Sequence, residues 1–177
     1  MNTKNLVLLA LLVGVGAALY VVMPGIVGGM KPDMMLVMMF IGIMLFPNAR
    51  DTFLLAISTG IISGLLTTFP GGFIPNIVDK AVTGFVFLII VLLLKKFTQK
   101  IAIGTILTAL GTIISGTVFL GVALFIMNTD VGVGFTALFV GVVLPAVAFN
   151  CVAFIIMYPI IVTLAKRSKF IPNTKHA

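Results

Sequence analysis

Four charged residues stand in two short strings of an otherwise apolar chain: Lys31 and Asp33 in GGMKPD, and Asp79 and Lys80 in GGFIPNIVDK. Both strings read Gly-Gly, a hydrophobe, any residue, Pro, and then Asp33 or Asn76. Such residues can receive charged groups more readily than they can break bonds. A lysine near a helix N-terminus runs against the helix dipole, which favours an acid there. A cation held where the dipole is already positive is a receptor for an anion such as a carboxylate, with the free N–H groups of the first turn as further donors. The plainer reading is structural: Lys31 with Asp33 and Asp79 with Lys80 as interfacial ion pairs that stop helices sliding, or the aspartates as partners of the dipole.

Groups for catalysis are scarce. There is no glutamate, the only histidine is His176, and no Walker motif, Gly-x-Ser-x-Gly elbow or cluster of metal ligands occurs. Hydrolysis and phosphoryl transfer therefore lack their acids, bases and nucleophiles, and the chain is not expected to be an enzyme or to hold a metal or cofactor. Of the acids, Asp51 is expected in a cytoplasmic turn, which leaves Asp33, Asp79 and Asp130 near the outer side. Proton coupling through one of these is an option, but a short chain with no acid at mid-membrane is a poor stand-alone pump.

The elements that must position these residues are membrane helices. Of 177 residues, 61% are hydrophobic and 8% charged, and apolar runs extend from Ile101 to Met127 and from Val131 to Ala165. These exceed the roughly 20 residues that cross a bilayer core. The reading is an all-α polytopic membrane protein, with helices over 5–23, 32–47, 52–69, 75–95, 100–127 and 135–165. One six-helix domain then fills residues 1–165, and a basic tail, KRSKFIPNTKHA over 166–177, reads as disordered. The first apolar stretch is longer than a signal-peptide core and no A-x-A site follows it, so it is read as helix 1. Cys151 falls within a span and implies no disulfide.

The net charge of +7 does not point to nucleic acid, because the basic residues sit at helix ends. With a cytoplasmic N-terminus, Lys4, Arg50, Lys95, Lys96, Lys100, Lys166, Arg167, Lys169 and Lys175 lie inside, and only Lys31 and Lys80 lie outside. That bias follows the positive-inside rule and puts both termini in the cytoplasm.

Pro32 and Pro75 suit the first position of helices 2 and 4, where the missing N–H would be unpaired anyway. Asp33 then falls in the first turn of helix 2, and Asn76, Asp79 and Lys80 share one face of helix 4. From Pro32 to Phe46, helix 2 has about 15 residues and is ~22 Å long, short of a ~30 Å core. It must begin below the outer surface, so the polar ends of helices 2 and 4 are expected to line an outward-facing cavity.

Helix 1 carries Ala10, Gly14 and Ala18 at intervals of four, a smooth strip along which another helix can approach closely. Whether that helix belongs to the bundle or to a partner is open. Gly60 and Gly64 in helix 3 read as packing within the bundle.

The strings ALLVGVGAAL, GGMKPDMML, LFPNARD and TTFPGGFIPNIVDK resemble those of the TrpP tryptophan transport proteins, over nearly the whole chain. These are substrate-binding S components of energy-coupling factor (ECF) transporters. The resemblance implies a six-helix S component in the cell membrane that binds tryptophan from outside beneath the loop joining helices 1 and 2. It also implies partners: a membrane coupling protein, the T component, and two ABC-type ATPases that bind ATP and Mg. The family docks through an Ala-x-x-x-Ala motif in helix 1, which Ala10, Gly14 and Ala18 match in size but not in letter. A stand-alone aromatic amino-acid carrier driven by an ion gradient is the alternative.

On that resemblance the charged strings become a receptor for a zwitterion with an apolar slot beside it. Asp33 or Asp79 takes the ammonium, and Lys31 or Lys80, with helix N–H groups, takes the carboxylate. Asn76 bonds either group or the indole N–H. Phe69, Phe73 and Tyr20 are candidate walls for the ring, each with ordinary packing as the alternative. Asn150 either faces the ligand or bonds another helix. Thr67 and Thr68 rank lower, because such hydroxyls can bond their own backbone.

Overall fold

The computed structural model describes residues 3–23, 31–94, 100–168 and 170, and among these the regular structure is entirely helical. The elements are α1 (Thr3–Val22), α2 (Met34–Leu45), α3 (Ala49–Leu66), α4 (Phe73–Leu93), α5 (Ile101–Ile126) and α6 (Phe135–Arg167). All but α2 are long and apolar enough to cross a bilayer. The outward faces carry large apolar side chains such as Leu11, Leu65, Leu93 and Phe125. In water so much exposed apolar surface would drive association; in lipid it is the ordinary outer face of a bundle.

With 12 residues, α2 is ~18 Å long and is wrapped by the other helices, every residue from Met34 to Ile43 being buried. Its sequence is apolar all round because all of its faces meet protein. Phe40 of α2 stacks on Phe87 of α4 with ring centroids 4.1 Å apart. Close packing of this kind holds membrane helices together where burial from water contributes nothing.

Several boundaries differ from the sequence reading, each for a local reason. Asp33 is the N-cap of α2 and not part of its first turn: its Oδ1 accepts from the Leu36 N–H at 3.0 Å. A capping carboxylate beats proline because it satisfies an orphan donor. Likewise α4 starts at Phe73, capped by Gly72, so Pro75 is its third residue. Gly71 turns the chain there with φ +67, in the left-handed region. α3 begins at Ala49, which moves Asp51 from the expected turn into a helix. Asn48 Oδ1 accepts from the Asp51 N–H at 2.9 Å, and the buried Asp51 carboxylate accepts from the Asn48 side chain at 2.8 Å and from Asn5 at 3.3 Å.

α6 runs on to Arg167, so Lys166 and Arg167 belong to a helix and not to the tail; residues 169 and 171–177 lie outside the described residues. So do the Gly28-Gly29-Met30 part of the first string, the loop expected to cap the site, and Lys95 and Lys96. Two spans contain wider π turns, Val122–Ile126 in α5 and Phe139–Val143 in α6. In α6 the cause is next door: Pro145 has no N–H to give the preceding turn, and the helix widens just before it.

Candidate functional site

One end of the bundle opens into a cavity with an empty volume of about 640 Å³, counting the part open to the outside. It is built from the last turn of α1, the start of α2, the α3–α4 turn, the first two turns of α4, and the facing halves of α5 and α6. Of the candidates named from the sequence, Tyr20, Lys31, Asp33, Phe69, Asn76, Asp79, Lys80 and Asn150 line it. Phe73 does not line it; it lies over Gly64 with its ring partly exposed. Ala10, Gly14 and Ala18 form an exposed strip on α1.

The charges form a chain across two helices. The Lys80 ammonium, 2% exposed, sits 2.5 Å from Asp33 Oδ2 and 2.6 Å from Asp79 Oδ2. Asp79 is fully enclosed and also accepts from Ser115 at 2.8 Å and from Thr83 at 2.9 Å. Asp33 spends one oxygen on its capping bond and the other on Lys80. Burying these charges is tolerable only because every one is paired and hydrogen-bonded. The arrangement also corrects an expected pairing: Asp33 turns to Lys80 of α4 and not to Lys31, its near neighbour in sequence.

Lys31 instead places its ammonium 5.5 Å from the centre of the Tyr20 ring. Counted formally, Asp33, Lys80 and Asp79 carry one surplus negative charge, and Lys31 at the same rim carries one positive. The site can therefore take a ligand with both an ammonium and a carboxylate without leaving a net charge in the membrane.

The opposite wall is largely apolar. Phe119 and Leu120 of α5 face Val142, Val143 and Ala146 of α6, with Phe69 crossing edge-on to Phe119 at 5.2 Å between centroids. Gly116 lets the helices close up there, since a Cβ on it would lie 2.5 Å from Val143. Asn76 is tied to the start of its own helix by donating to the Gly72 carbonyl at 2.8 Å.

The α5 wall is the part that the sequence reading missed. Thr112 and Ser115 line the cavity and, with Thr108, recur at helical spacing along one face of an apolar helix. That periodicity is the signal that identifies them. Asn150 reaches this wall from α6 and donates from Nδ2 to Thr112 Oγ1 at 3.2 Å.

The comparisons with known proteins point to a transport family. A family profile described as "Tryptophan transporter TrpP" matches residues 2–166. A protein of Bacillus subtilis (strain 168) named "Probable tryptophan transport protein" is 50% identical over 175 residues, covering 99% of this chain and all of the relative. Relatives of the same name are 44% identical in Clostridium acetobutylicum, over 89% of this chain and 91% of theirs, and 33% identical in Clostridium perfringens, over 96% and 97%. No solved structure matches the chain.

Proposed function

The chain belongs to the TrpP family of tryptophan transporters, and from that premise we propose that it is the S component of an ECF transporter, binding tryptophan at the outer side of the cell membrane. The observation that carries the binding site is the Asp33–Lys80–Asp79 chain with Lys31 beside it in a cavity walled by apolar groups. The ligand ammonium goes to Asp33, whose side chain is 20% exposed while Lys80 and Asp79 are closed off. The carboxylate goes to Lys31, which has no carboxylate partner among the described residues. Lys80 holds the two acids in place and does not contact the ligand carboxylate.

In this reading the chain supplies no energy and holds no cofactor. A T component docks on the Ala10, Gly14 and Ala18 strip, and two ABC-type ATPases hydrolyse ATP with Mg. The N-terminus is cytoplasmic: Lys4, Arg50, Lys100, Lys166 and Arg167 lie at the end of the bundle away from the cavity.

One observation favours a second reading. Asp79 is a carboxylate fully buried in a membrane helix, the kind of group through which a carrier couples to protons or cations. Uptake of labelled tryptophan by cells expressing the chain with and without an ATPase module separates the two. An S component needs the module, whereas a carrier driven by an ion gradient is indifferent to it.

A further inference from the structure

Among the described residues, the buried side-chain polar atoms without a hydrogen-bond partner are the Thr52 and Thr59 hydroxyls and Asn150 Oδ1. The two hydroxyls sit within a helix, where a rotation can bring them to a backbone carbonyl of the preceding turn. Asn150 has no such freedom. Thr112 donates its single hydroxyl proton to the Thr108 carbonyl at 2.8 Å, so toward Asn150 its oxygen can only accept. The amide nitrogen of Asn150 must therefore face Thr112, and Oδ1 is left pointing away from it as a fixed acceptor. Asn150 is 0% exposed and is among the residues that line the cavity, so what fills the cavity can supply the missing donor.

The position says what kind of donor. Oδ1 is a neutral acceptor on α6, one helical turn beyond Ala146 and beside the apolar wall of Phe119, Leu120 and Val143. The charged groups that suit an ammonium lie on α2 and α4 instead. Resting on the tryptophan reading above, we infer that Asn150 Oδ1 receives the indole N–H and so sets the specificity of the site for an aromatic ring that carries a donor. With the head group at Lys31 and Asp33, the ring lies against the α5–α6 wall and its nitrogen reaches Asn150. Phenylalanine would fill the slot and leave the acceptor unpaired. A buried acceptor left without its donor is costly, and this makes such a site reject analogues lacking the N–H more strongly than size alone does.

The test compares L-tryptophan with 3-benzothienyl-L-alanine, in which sulfur replaces the N–H and the shape is kept, by calorimetric titration of the purified full chain. The wild type is expected to bind the sulfur analogue at least roughly tenfold more weakly. In Asn150→Leu tryptophan should weaken while the analogue is held, bringing the ratio near one. Equal binding of the two ligands by the wild type overturns the inference and leaves the tryptophan reading standing, as would happen if a water satisfied Oδ1. A folded Asn150→Leu variant that keeps the wild-type preference also overturns it. Failure of the wild type to bind tryptophan at all overturns the tryptophan reading and this inference with it.

Discussion

A methyl group added at Gly60 would lie 2.9 Å from the Ile77 Cα of the neighbouring helix, whereas one added at Gly14 would meet nothing within 4 Å among the described residues. Both glycines belong to small-residue strips in membrane helices, and by spacing alone the strips cannot be told apart. On α3, Gly60 and Gly64 let α4 lie against the backbone, and α4 carries Asp79 and Lys80. On α1 the contrast recurs within one helix. Gly16 faces Met35 of α2, with a Cβ position 3.1 Å from its Cα, while Gly14, with Ala10 and Ala18, faces away from the bundle. A small residue whose helix partner is present is packing. One whose partner is absent is a surface that still has to be explained.

The largest effect that can break this comparison is expected from Gly60→Leu. Overpacking against backbone, which cannot rotate away, costs ~1–3 kcal/mol even for small additions, and a leucine there separates α3 from α4. Thermal denaturation of the purified protein should show a large loss of stability, with tryptophan binding lost as well. If the variant is as stable as the wild type, the close α3–α4 approach is not what holds α4 in place.

Gly14→Leu should do the reverse. Tryptophan binding by the purified chain is expected to stay within about twofold, since nothing in the bundle is touched, while uptake in cells falls by at least roughly tenfold because the strip no longer admits a partner helix. If binding and uptake fall together, the strip is internal after all.

A pair of changes at the cavity separates ligand contact from support. Lys31→Ala should weaken tryptophan binding by roughly tenfold to a hundredfold, the value of a charge-assisted hydrogen bond of ~1.5–3 kcal/mol, with little change in stability. Lys80→Ala should instead destabilise the protein by ~3–5 kcal/mol, because it leaves the enclosed Asp79, and the partly exposed Asp33 beside it, without their cation. Chemical denaturation beside binding titration distinguishes these outcomes. The smallest effect belongs to Gly14→Ala: with open space for the methyl, helix propensity alone predicts a gain of about 0.5–1 kcal/mol and unchanged uptake. Gly60→Ala should go the opposite way.

How much of this is legible in the sequence depends on the range over which each feature is decided. The spans are legible because an apolar run of given length has one use in a membrane, and all six elements fall close to their expected places. Caps are decided locally but competitively, and Pro32 and Pro75 mislead because Asp33 and Gly72 outcompete them. The polar face of α5 is legible from the spacing of Thr108, Thr112 and Ser115. Pairing is not: Lys80 takes Asp33 from another helix as well as its own neighbour Asp79, and no periodicity foretells which helix ends meet. Nor does spacing reveal that Phe73 packs over Gly64, outside the cavity, while Phe69, at the other end of the Gly-Gly turn, closes over Phe119.

The account stands on a cavity whose charges match both ends of an amino acid. The measurement that tests this most directly is a calorimetric titration of the purified chain with L-tryptophan, with tryptamine, which lacks the carboxylate, and with indole-3-propionate, which lacks the ammonium. Tight binding of tryptophan, with both analogues weaker by at least roughly tenfold, is the predicted result, and in Lys31→Ala the gap between tryptophan and tryptamine should close. Binding of tryptamine or indole-3-propionate as tightly as tryptophan would contradict it.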